Sequence, residues 1–108
     1  LVWLGMGADG HTASIFPGSD YEEALNPAKG VRAIGVRPDP FPPEAPVDRV
    51  TLTVPAIVEA RTTMLVIIGA EKQQVLEQAI EEGKKSAYPV GRVIDALTVP
   101  VDIYCRSV

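Results

Sequence analysis

The run Met64-Leu65-Val66-Ile67-Ile68, stopped by Gly69 and followed at once by helical spacing, constrains this chain most. Uniformly apolar and rich in β-branched residues, it reads as a central strand of a parallel sheet. It is far too short to span a bilayer. Val75, Leu76, Ala79 and Ile80 fall on one face of a helix from about Glu71 to Glu82, with Gly83 as its C-terminal cap. Parallel neighbours need crossover connections, so the rest of the chain is expected to alternate strand and helix.

That alternation is legible elsewhere. Leu1 to Leu4, stopped by Gly5, has the pattern of a strand buried on both faces. Thr12 to Phe16 suits a first helical turn ended by Pro17-Gly18, Tyr21 to Leu25 a short helix, and Val31 to Val36 a strand. Prolines at 38, 40, 42, 43 and 46 mark an extended surface loop. Val50, Leu52 and Val54 alternate with Thr51 and Thr53, which predicts a strand with its apolar face buried. Pro55 suits the start of a helix over Ala56 to Ala60. Pro89 to Ala96 reads as a turn or helix, and Val101 to Cys105 as a last strand. The expectation is an α/β fold with a doubly wound, mostly parallel sheet. Because Leu1 already lies inside a strand, without an initiator Met, we expect a partial domain.

Composition excludes several functions. Fourteen acidic residues against ten Lys and Arg give a net charge of −4, the wrong sign for a nucleic-acid surface. No membrane partner is expected. Cys105 is the sole cysteine, so no internal disulfide or cysteine metal cluster can form. It sits in an apolar strand, where inert core is the expectation. No signal-peptide pattern opens the chain, and a reducing cytoplasm fits.

In open α/β sheets, ligands bind at the carboxyl ends of strands. Two places qualify. The loop after Leu4 carries Gly5, Gly7 and Gly10, which mark unusual backbone angles or close approach, together with Asp9, His11, Thr12 and Ser14. The turn Gly69-Ala70-Glu71-Lys72 puts a lysine in the first turn of a helix. His11 is the only histidine, and its ordinary pKa near ~6.5 suits proton transfer near neutrality. Asp9, two residues away, is close enough to orient it. An isolated Asp-Gly-His is more often a solvated surface pair than a site. Two ligands without further His or usable Cys argue against a metal. Ser14 has no second base and no G-x-S-x-G context, so it is not a nucleophile.

The longer string changes that balance. Residues 5–18, GMGADGHTASIFPG, resemble the signature loop of the 6-phosphogluconolactonases. The resemblance continues through RVTLTVPAI at 49–57, then Ala60-Arg61, then Gly69-Ala70-Glu71-Lys72, in the family's order. It implies a doubly wound α/β fold shared with sugar-phosphate isomerases and deaminases. It also implies hydrolysis of 6-phosphoglucono-δ-lactone to 6-phosphogluconate in the pentose phosphate pathway, with no cofactor. Carried to these positions, His11 is the general base, Asp9 orients it, and N–H groups of the glycine loop, at Gly7 and Gly10, help hold the oxyanion. Lys72 binds the phosphate, and Arg49 and Arg92 are weaker candidates for substrate contact. Glucosamine-6-phosphate deaminases carry a similar loop, but with a glutamate five residues after the histidine, where this chain has Phe16. The blocks imply the carboxy-terminal half of one lactonase domain, residues 1–108. The amino-terminal half would bring a further phosphate loop and an arginine, fused or paired. The other-class alternative is a non-catalytic fragment of a larger protein.

Overall fold

The computed structural model describes residues 1–16, 20–39, 41, 43 and 46–106. Three parallel strands form the main sheet: β1 (Val2–Leu4), β4 (Thr63–Ile68) and β5 (Val101–Arg106), in the order β1-β4-β5. The apolar run at 64–68 therefore takes the central place, as its composition predicts. Its register sets Leu4 beside Leu65 and Leu65 beside Ile103. Between β1 and β4 lie α1 (Tyr21–Leu25), an antiparallel pair of β2 (Ala33–Val36) and β3 (Arg49–Leu52), and α2 (Val54–Val58). Pro55 stands in the first turn of α2, where a missing N–H costs nothing.

The crossover from β4 to β5 is α3 (Ala70–Glu82), a 3₁₀ turn at Gly83–Lys85, and α4 (Pro89–Ala96). Gly83 ends α3 with a positive φ of 59°, as the C-cap reading requires. Leu76 and Ala79 of α3 and Val90 and Val93 of α4 pack with Ile57 of α2 under Leu4, Leu65 and Ile67 of the sheet. At Gly91 a Cβ would come within 2.7 Å of the Ala79 carbonyl, so this glycine lets α3 and α4 approach closely. Arg37 and Asp48, joined by Nε–Oδ1 and Nη2–Oδ2 bonds of 3.0 and 3.1 Å, tie the ends of β2 and β3 together. The bond from Arg37 holds the Asp48 carboxyl below the usual carboxylate range.

Four local expectations need correcting. Leu1 to Leu4 is not buried on both faces: Trp3 is 69 % exposed. Trp3, Met64, Val66, Ile68 and Tyr104 share one sheet face that is largely open, and the helical layer lies on the other. In β3 the alternation runs opposite to its hydropathy. Val50 is 72 % exposed and Thr51 only 3 %, because the Thr51 hydroxyl is needed inside, where it accepts the Ser14 N–H at 3.0 Å. Thr12 to Phe16 is not a helical turn but a tight reversal, with Thr12 and Ile15 bridged and Ala13 at φ 52°. Cys105 is exposed rather than core, and its Sγ donates to Gln73 Oε1 at 3.2 Å. Pro17-Gly18 and parts of the proline-rich loop lie outside the described residues.

Candidate active site

The loop leaving the carboxyl end of β1 is held by bonds along its whole length. Gly7 N–H donates to the His11 carbonyl and Gly10 N–H to the Gly7 carbonyl, both at 3.0 Å. The buried Thr12 hydroxyl donates to the Gly5 carbonyl at 2.7 Å. Two longer links anchor the loop to the domain: Ser14 N–H to Thr51 on β3, and Val90 N–H on α4 to the Gly10 carbonyl at 3.0 Å. Both glycines are sterically required. A Cβ on Gly7 would sit 2.2 Å from His11 Cε1 and 2.8 Å from Asp9 Oδ1. Gly10 has φ +83°, and a Cβ there would strike Tyr88 at 2.5 Å. The close approach that these glycines allow is to His11 and Tyr88. Their own N–H groups are used inside the loop, so the oxyanion role expected of Gly7 and Gly10 gives way to a packing role.

This frame brings Asp9 and His11 together. Asp9 Oδ1 lies 2.5 Å from His11 Nδ1 and also accepts the His11 backbone N–H at 3.1 Å. An ionised carboxylate can only accept, so the neutral imidazole carries its proton on Nδ1 and keeps its lone pair on Nε2. One face of the ring lies on Phe16, with centroids 4.2 Å apart and planes 25° from parallel. The Arg49 guanidinium stands over the same Phe16 ring at 4.9 Å. Thus Arg49 reaches the neighbourhood of His11 through an aromatic ring.

His11 and Lys72 line one open cleft of ≈ 510 Å³, together with Trp3, Gly7 and Leu52. Lys72 gets there because Gly69, at φ +118°, turns the chain from β4 straight into α3. The first N–H groups of that helix have no partner within it, and its amino end favours anions. The structure therefore brings His11, Asp9 and Lys72 to one place. Arg92 does not join them: its guanidinium lies 5.9 Å over the Tyr21 ring, between α4 and α1. Burial pushes the Tyr21 phenol above its ordinary value, and the Arg92 charge offsets part of that rise. Ser14 stays a backbone anchor.

Trp3, Leu52, Thr51 and Phe16 are the neighbours that sequence reasoning missed. Only Phe16 left a signal, as the residue five after His11. Among the described residues, no group of three or more His, Cys, Asp or Glu side chains is placed to hold a metal ion. An imidazole with a free Nε2 can accept a proton from water, and a lysine beside a helix amino end can hold a dianion.

Comparison with known proteins gives the family. Residues 1–99 match the family described as glucosamine-6-phosphate isomerases/6-phosphogluconolactonase. A 6-phosphogluconolactonase of Neisseria meningitidis is 39 % identical over 96 residues, covering 88 % of this chain and 39 % of that protein. The crystal structure of a 6-phosphogluconolactonase from Shewanella baltica superposes with a TM-score of 0.82 at 34 % identity, over 98 % of this chain and 43 % of that one. A monomeric glucosamine-6-phosphate deaminase shares the fold, with a TM-score of 0.68 at 18 % identity over 96 % of this chain and 44 % of that one. The chain spans about two-fifths of the length of the relatives it matches.

Proposed function

Because the chain belongs to the glucosamine-6-phosphate isomerase/6-phosphogluconolactonase family, we propose that it contributes the catalytic loop of a 6-phosphogluconolactonase acting in the pentose phosphate pathway. One observation carries this reading: His11, whose Nδ1 is held by Asp9, lines a single cleft with Lys72. Water attacks the lactone carbonyl as His11 Nε2 takes its proton. The tetrahedral intermediate expels the ring oxygen, which receives that proton back from the imidazolium. One C–O bond forms and one breaks, leaving the open-chain acid. Asp9 keeps the ring in the useful tautomer and stabilises the imidazolium. Lys72 and the α3 amino end hold the 6-phosphate. Arg49 raises the positive potential nearby.

The same family includes deaminases, which need a second acid to move protons between two carbons. Phe16 occupies the position where the resemblance puts that acid, which favours the hydrolase.

The chain is further read as the carboxy-terminal half of the domain, working in the cytoplasm and fused to or paired with the amino-terminal half. Parallel sheets are almost always covered on both faces. Here the face bearing Trp3, Ile68 and Tyr104 is open, and the cleft runs along the unpaired edge of β1. Preceding strands and helices would extend the sheet there. Among the described residues, no helix is long and apolar enough to cross a membrane.

The test is complementation. The chain is assayed alone and after co-expression with either the amino-terminal or the carboxy-terminal half of the Neisseria meningitidis relative. Lactone opening with the amino-terminal half only is expected. Ammonia release from glucosamine 6-phosphate would favour the deaminase reading. Stable association without turnover of either substrate would favour a structural piece.

A further inference from the structure

We propose that Phe16 is a positioning residue for His11, fixing the plane of the imidazole that Asp9 holds only at one atom. The covalent tether at Cγ and a hydrogen bond to Nδ1 still leave the ring plane some freedom to tilt. Two other contacts stop that tilt. The Cε1 edge is pressed against the Gly7 backbone, where even a Cβ would come within 2.2 Å. The flat face lies on Phe16 at 4.2 Å. Nδ1, Cε1 and one face are thus held, and the Nε2–Cδ2 edge remains for the cleft.

Phe16 is itself well anchored. It is buried, and it follows Ile15, which has no exposed surface. Yet it stands outside the contiguous apolar cluster built from Leu4, Leu65, Ile67, Ile57, Val90 and their neighbours. The ring partners seen for it are polar, His11 on the imidazole side and Arg49 at 4.9 Å. A buried aromatic placed against a histidine and an arginine is positioned to order both groups.

The experiment uses the chain's own composition. With one histidine and two phenylalanines, the His11 ring resonances and their partners are unambiguous by NMR. In the complemented complex, with only the 108-residue chain isotope-labelled, His11 Hε1 and Hδ2 should be shifted upfield by the Phe16 ring and show cross-relaxation to it. Phe16→Leu should abolish the upfield shift while the ¹⁵N signature of the Nδ1–H tautomer, set by Asp9, persists. Phe16→Tyr should restore the shift. In the active, complemented enzyme, Phe16→Leu should lower kcat about 2- to 12-fold with KM unchanged, the range expected of one aromatic contact, and Phe16→Tyr should recover it. The kinetic arm rests on His11 acting as the base; the NMR arm does not. Absent cross-relaxation in the unmodified chain overturns the proposal even if Phe16→Leu fails to fold. So does a His11 spectrum unmoved in Phe16→Leu, or a loss as large in Phe16→Tyr. Near-normal turnover in His11→Ala, with the stacking seen by NMR in the unmodified chain, would instead remove His11 as the base and leave the positioning intact.

Discussion

The loop after β1 and the turn after β4 leave the same end of adjacent parallel strands, but they are built in opposite ways. The first is long and closed on itself. Its backbone groups bond within the loop, its glycines make room for His11 and Tyr88, and Thr51 and Val90 tie it to β3 and α4. The second is a single residue, Gly69, whose N–H donates to the Arg106 carbonyl at 2.7 Å before α3 begins. A proton-transfer pair must be held to within a fraction of an ångström, which takes many constraints. An anion site needs only unpaired N–H donors and a nearby cation, which a helix start supplies without further support.

If that division is right, changes in the two regions should damage different kinetic constants. His11→Ala should have the largest effect, a loss of about 10²- to 10⁴-fold in kcat, the usual contribution of a positioned acid–base. Steady-state lactone opening in the complemented enzyme measures it, and near-normal kcat would remove His11 from the mechanism. Gly7→Ala tests whether the loop is as tightly built as its contacts indicate. The added methyl must displace His11 or Asp9, and a shift of about 1 Å costs on the order of 10²-fold. In the double variant Gly7→Ala/His11→Ala the loss should be no greater than for His11→Ala alone, since both act through one group. Additive losses would mean that Gly7 matters for something other than the pair.

The turn after β4 should behave otherwise. Lys72→Ala should reduce kcat/KM for the phosphorylated lactone, relative to unphosphorylated gluconolactone, by about one to two powers of ten. That range follows from a charge-assisted hydrogen bond worth roughly 1.5–3 kcal/mol. Lys84 and Lys85, in the turn beyond the far end of α3, should show no such discrimination when changed to Ala. An equal loss on both lactones would assign Lys72 to stability and erase the contrast between the regions. The smallest expected effect is none: dialysis against a strong chelator should leave activity intact. Activity lost and then restored by one divalent ion would show that the loop's carboxylate and imidazole are metal ligands.

Several elements of the fold were legible because the physics behind them is local. Uniform apolarity at 64–68 makes a strand central, and the spacing of Val75, Leu76 and Ala79 makes a helix face, although Ile80, expected on the same face, is 46 % exposed. Gly83 supplies the left-handed angle that ends the helix. Asp9 and His11 were legible as a pair because two residues of separation in a loop suffice for contact. The β3 strand shows where this stops. Its apolar residues point outward and Thr51 inward, against its own hydropathy, because the Thr51 hydroxyl meets a backbone N–H thirty-seven residues away. Nothing near Thr51 in the chain announces that partner.

The same distinction runs through the site. The residue order alone determined an α/β alternation with a parallel core and a glycine-rich loop carrying one Asp–His pair, since each depends on neighbours within a turn or two. Only the tertiary structure decided that Lys72 shares a cleft with His11, that Arg92 turns away to Tyr21, and that Trp3 faces outward on an open sheet. It also decided that Phe16 lies under the imidazole in place of a helical turn. Those outcomes depend on which strands become neighbours and which face the helices cover, and such choices are set by packing between residues far apart in the chain.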